Sequence, residues 1–167
     1  MKYGFPIYAS CEVSEILKIT LPMQRMKRYS VGYFNVVPFQ VPHNGTECDG
    51  FIIQHEAMGK LLFMTDLEMC PFNMSAMKIN NLMIECNYSE DYLRNDSMNK
   101  DHVLLGHMEL QTCKRFIRTV YGENLKSIGL IHLSKENADP FRFREEIQSE
   151  FPESKVWIAD KNSTLEV

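Results

Sequence analysis

The chain has 167 residues, enough for one domain with its own core, and its 44% hydrophobic and 24% charged content is that of an ordinary globular protein. A formal net charge of −4 removes the electrostatic reason to expect duplex nucleic acid as a primary partner. The longest apolar runs are strand-sized and Met1-Lys2 leads into Tyr-Gly-Phe-Pro without an apolar leader, so a cytoplasmic protein with no membrane span is expected.

From the amino terminus, residues Phe5 to Ala9 predict a short buried strand. A helix then opens at Ser10 or Ser14 and runs to about Ile19. Met23 to Ser30 is basic and irregular, with Arg25, Lys27 and Arg28 either solvated or facing an anion. Val31 to Val41 is strand-like, and Pro38 marks an edge or a break. Pro42-His43-Asn44-Gly45 is turn chemistry. Phe51 to Gln54 and Leu61 to Thr65 predict a hairpin through Glu56 to Lys60, with Gly59 in its loop.

Leu82 to Cys86 predicts the next strand, and Ser89 starts a short helix that leads into the polar stretch Asn95 to Asp101. Met108 to Val120 is the clearest helix, with Leu110, Cys113, Ile117 and Val120 on one face. Ile128 to Leu133 predicts a buried strand, Pro140 to about Glu150 a helix, Lys155 to Ala159 a last strand, and Asp160 to Val167 a polar tail. Strands alternating with helices in this second half indicate helices laid over a sheet. The cysteines Cys11, Cys48, Cys70, Cys86 and Cys113 are odd in number and form no CxxC pair, which suits reduced thiols in a cytosol. The 11 methionines fill core gaps or line an adaptable surface.

Several apolar runs end on a residue able to bind metal or exchange a proton. Asp66 closes LLFMT, Glu85 closes LMI, and His132 closes IGLI, while His43 follows another strand. A carboxylate where a buried strand runs out is costly unless something positive meets it, and strand ends of an open α/β sheet are where ligands collect. Each has a bland alternative: a surface histidine for His43, a turn aspartate for Asp66, a satisfied core histidine for His132. Histidine with aspartate suits zinc or manganese, and such an ion acidifies water to supply hydroxide near neutral pH. His107 lies at the start of the strongest predicted helix, where the dipole favours a neutral ring. Glu85 and Asn87 could orient a ligand histidine; His55 and His102 read as ordinary polar positions.

In order, VPHNG, GFII, LLFMTDLE, LMIECNYSEDYL, GHMELQT and IGLIHLSKENADP resemble the metallo-β-lactamase superfamily, in its phosphodiesterase- and nuclease-like branch. The resemblance runs from about Phe5 to Asp160 and implies an αββα sandwich, N-terminally incomplete, as a single partial domain over residues 1–167. It implies that His43 binds one metal, Asp66 bridges two, and His132 binds the second. By the same resemblance His107 contacts the scissile phosphate or protonates the leaving oxygen. The family's leading HxHxDH signature is absent, so each metal has two ligands in this chain where catalytic zinc takes three, and zinc or manganese should be held weakly. A homo-oligomer, or a chain supplying the N-terminal half, would complete the site and cover the sheet. The implied function is metal-dependent hydrolysis of a small phosphodiester or nucleotide; the alternative is a non-catalytic binding or assembly module on the same scaffold.

Overall fold

The structure of the chain, a computed structural model, describes residues 4–18, 20–93 and 100–159, with the backbone alone at 100–102. The polar stretch 95–99, the tail 160–167 and the His102 side chain therefore lie outside the described residues. The elements run β1 (Tyr8–Ser10), α1 (Cys11–Leu17), β2 (Leu21–Met23), β3 (Tyr29–Val31), β4 (Phe34–His43), β5 (Thr46–His55), β6 (Gly59–Met64), β7 (Asn81–Glu85), α2 (Lys100–Gly106), α3 (Leu110–Val120), β8 (Ser127–Ile131), α4 (Pro140–Glu150) and β9 (Lys155–Ile158).

Seven strands form one sheet in the order β3-β4-β5-β6-β7-β8-β9. The first four are antiparallel neighbours, and β6 to β9 are parallel. The change of pattern follows from the sequence. The β5–β6 connection is a short loop at 56–58, which reverses the chain; later strands are separated by helix-bearing segments long enough to carry it back over the sheet. β8 is buried at every position, flanked in the sheet by β7 and β9.

Residues directly opposite in register share a face. Leu62, Leu82, Ile128 and Val156 line up across β6 to β9, as do Met64, Ile84, Leu130 and Ile158. These rows meet Leu110, Cys113, Phe116 and Ile117 of α3 and Phe143 and Ile147 of α4 in one buried core. Glu109 caps α3 by accepting from the Gln111 and Thr112 N–H groups, and Asp139 caps α4 at Phe141 and Arg142, with Pro140 in its first turn.

The opposite face carries the row Phe51, Phe63, Met83, Gly129 and Trp157, flanked by Ile53 and Leu61. Phe51, Ile53, Leu61, Phe63, Met83 and Trp157 are half-buried, and no helix layer lies on them among the described residues. Gly129 lets the indole of Trp157 lie against the strand: a Cβ there would come within 2.6 Å of the ring. The seven-stranded sheet and the helices on one of its faces thus form one sheet and one helix layer of a sandwich.

Three expectations need correction. The Phe5 to Ala9 strand is shorter and not buried: β1 pairs only with β2, in a separate two-stranded sheet, and Phe5 is 56% exposed. Helix α2 overlaps the predicted polar stretch only at Lys100 and Asp101, and the sequence predicts no element over the rest of it. His107 consequently follows the C-terminus of α2, its N–H donating to Val103 O, and lies two residues before the Glu109 cap of α3. His107 therefore precedes α3 and is not part of its first turn, contrary to the sequence reading. Elsewhere Ser10 is the cap of α1, accepting from the Val13 N–H. Pro38 lies within β4 beyond the last residue that pairs with β3, which spares it a ladder partner on that side.

Candidate metal centre

Strand direction brings the candidate residues together. β4 and β6 are each antiparallel to β5, and β7 and β8 are parallel to β6, so the C-terminal ends of all four lie on one edge of the sheet. His43 is the last residue of β4, Asp66 lies two beyond β6, Glu85 is the last of β7, and His132 is the first beyond β8.

Each is anchored locally. Asn44 and Gly45, with φ of 46° and 72°, form the two-residue turn between β4 and β5, the left-handed pair that matches strand twist. The Asn44 N–H donates to Leu105 O at 3.0 Å, and His43 Nδ1 lies 2.6 Å from Gly106 O. A carbonyl only accepts, so Nδ1 carries the proton and the lone pair of the neutral ring falls on Nε2, the nitrogen a metal would use. Helix α2 therefore fixes the tautomer of His43.

Asp66 and His132 both have left-handed backbone, with φ of 53° and 55°. Such conformations in non-glycine residues concentrate at functional sites, where the surrounding structure holds them. Asn87 Nδ2 donates to His132 O at 2.7 Å, and the Ser134 N–H donates to Asn87 O, so Asn87 fastens the turn after β8.

Glu85 is fully buried. Its carboxylate accepts from the Leu67 N–H at 3.0 Å, lies 2.7 Å from His107 Nδ1, and is 3.3 Å from His132 Nδ1. Asp66 Oδ1 is 3.5 Å from the same His132 nitrogen. The hydrogen bond to Glu85, with the charges of Glu85 and Asp66 and against partial burial, holds the His132 imidazole above its ordinary pKa. One buried carboxylate thus ties two histidines and the backbone beside Asp66.

Two donor sets result. His43, Asp66 and His107 offer atoms within 4.8 Å of one another, as do Glu85, His107 and His132. His107 stands between the other two rings, its centroid 5.2 Å from His43 and 5.1 Å from His132. The structure brings His43, Asp66 and His132 to one edge, joined through His107 instead of as one tight trio. Imidazole and carboxylate donors at this spacing fit a zinc- or manganese-like divalent ion. The sequence reading picked out Glu85 as a strand-end acid that orients a ligand histidine; its place in a donor set with His107 and His132 comes from the structure. His55 lies away from this edge, its ring 4.7 Å from Phe34 and its Nδ1 accepting from the Ala57 N–H.

No protein-family profile and no curated protein matches the sequence. The fold does match solved structures. A metallo-β-lactamase fold protein, YhfI from Bacillus subtilis, is 18% identical with a TM-score of 0.68, over 92% of this chain and 61% of that one. A diphosphatase from the PhnP family is 16% identical with a TM-score of 0.60, over 97% and 58%. Yeast PDE1, unliganded, is 12% identical with a TM-score of 0.62, over 85% and 48%. The chain spans about half to three-fifths of the length of these structures. At these TM-scores and coverages, the chain has the metallo-β-lactamase fold.

Proposed function

We propose that the chain works in metal-dependent hydrolysis of small phosphoesters, phosphodiesters or nucleotides, with His43 as a ligand of one zinc or manganese ion, His132 of a second, and Asp66 shared between them. The carrying observation is the convergence of His43, Asp66, Glu85, His107 and His132 on one sheet edge. A divalent ion held there would supply a nucleophile near neutral pH and offset charge on the phosphoryl oxygens. His107, with Nδ1 engaged by Glu85, directs Nε2 as the nitrogen that exchanges a proton with the leaving oxygen. Glu85 positions His107 and His132 without touching substrate. The resemblance to a phosphodiesterase-like branch and the similarity to a diphosphatase and to PDE1 support phosphorus as the centre attacked.

In this reading a second polypeptide, a further copy of the chain or one bringing more ligands, meets the half-buried row from Phe51 to Trp157. The Trp157 Nε1–H on that face is buried with no hydrogen-bond partner among the described residues, which supports an acceptor arriving from outside. The same face favours a second reading, a non-catalytic assembly module. The five free thiols accord with a cytoplasmic setting.

The test is elemental analysis of the purified chain with assay of a chromogenic phosphodiester in added manganese or zinc. Bound metal and turnover lost in His132→Ala support the hydrolase. Metal-free, inactive protein in a stable oligomer supports the module.

A further inference from the structure

Helix α1 is patterned inside out. Its inner side carries Ser14, whose hydroxyl accepts from the Thr20 hydroxyl at 2.8 Å, and Cys11, whose thiol lies 3.8 Å from Met23 O. Val13, Ile16 and Leu17, spaced i, i+3, i+4, form a stripe on the other side, exposed by 42%, 79% and 51%. The helix buries none of its residues. Phe5, Ile7 and Leu21 of the same small unit are exposed as well. A helix at rest in water turns such a stripe toward a core, and clustered exposed apolar side chains mark contact surfaces.

The seven-stranded sheet has the converse defect. Phe51, Phe63, Met83 and Trp157 are half-buried with no helix on them among the described residues, and the Trp157 Nε1–H is buried without a partner there. Strand alternation puts Glu47 and Asp49 on the same face as Phe51. Arg25 holds both carboxylates at 2.5 Å and Glu12 of α1 at 3.4 Å. That bridge fixes the α1 unit at the site end of the open face, with the stripe still in solvent.

One chain thus presents a helix without a sheet and a sheet without a helix, and two copies related by a twofold axis satisfy both at once. We infer that the chain forms a reciprocal dimer, in which the stripe of Val13, Ile16 and Leu17 on each copy packs on the face from Phe51 to Trp157 of the other. This deepens the reading above in which a second polypeptide meets that face, and it commits to a second copy as the occupant. The exposed apolar side chains of the α1 unit and the open face together offer roughly 800 Å² per copy, which matches a standard stable interface. The last turn of α1 also ends in carbonyls without intrahelical partners, the acceptor that the Trp157 N–H lacks.

The test is sedimentation velocity of the full chain and two variants. The parent at about 50 µM should sediment as a dimer. Ile16→Lys, at an exposed position, and Phe63→Glu, on the open face, should each weaken dimerisation about 100-fold; Met83→Glu tests the same face should Phe63→Glu unfold. An equimolar mixture of the helix and face variants should dimerise again, because both changes fall in one contact, where lysine meets glutamate, and the other contact is intact. A monomeric parent would overturn the inference. So would a dimer that survives Ile16→Lys but not Phe63→Glu, since sheet would then meet sheet, or a mixture that stays monomeric. None of these readings uses metal or turnover, so failure of the hydrolase reading would show only in its own assay.

Discussion

Replacing Glu85 by glutamine changes one oxygen to an amide nitrogen at a fully buried position, with almost no change of shape. The glutamine oxygen can keep the Leu67 N–H, but the amide nitrogen then faces His107 Nδ1, where the carboxylate stood at 2.7 Å. If Nδ1 keeps its proton, two donors meet in a buried place, which costs about 1–3 kcal/mol for the unsatisfied group. If the ring changes tautomer to accept from the amide, the proton moves to Nε2, the nitrogen that faces the metal edge. His132 loses the anion 3.3 Å from its Nδ1 in either case. We expect Glu85→Gln to lower the unfolding free energy of the metal-free chain by about 2 kcal/mol, and zinc affinity to fall about 10- to 100-fold. Urea titration followed by Trp157 fluorescence measures the first and calorimetric zinc titration the second. A variant as stable as the parent, with unchanged zinc affinity, would refute the role given to this carboxylate.

Other outcomes follow from the same geometry. Asp66→Gly relieves a left-handed residue, so the metal-free chain should gain up to about 1 kcal/mol, while zinc binding is lost; a thermal melt and a zinc titration of the same sample check both. The raised His132 pKa gives stability that is fully present below about 6.5, the ordinary histidine value, and lost as pH rises through the higher folded value. The urea midpoint of metal-free protein should therefore fall from pH 6 to pH 8, and His132→Ala should flatten that fall. At Gly129, alanine would put a Cβ 2.6 Å from the Trp157 ring and push the indole off the open face. A loss of about 1–3 kcal/mol with altered Trp157 fluorescence is expected.

Much of the architecture was legible in short stretches. The Met108 to Val120 periodicity gave α3 within two residues, and Pro140 placed the start of α4, because helix faces and caps are local properties. Strand signals were truncated where polar residues alternate: β5 begins at Thr46, although its Thr-Glu-Cys-Asp opening lacks an apolar run. Helix α2 was missed because its Lys-Asp-His start resembles the polar stretch before it.

The sequence by itself determined which side chains stand at strand ends, since apolar runs stop where burial stops, and so it named His43, Asp66, Glu85 and His132 as the residues to watch. Tertiary structure alone decided that these ends share an edge, that α2 sets the tautomer of His43, and that Glu85 clamps His107 and His132. The reason is range: periodicity reports burial over a few residues, whereas convergence depends on strand order and direction and on contacts between distant segments, such as His43 with Gly106, 63 positions apart.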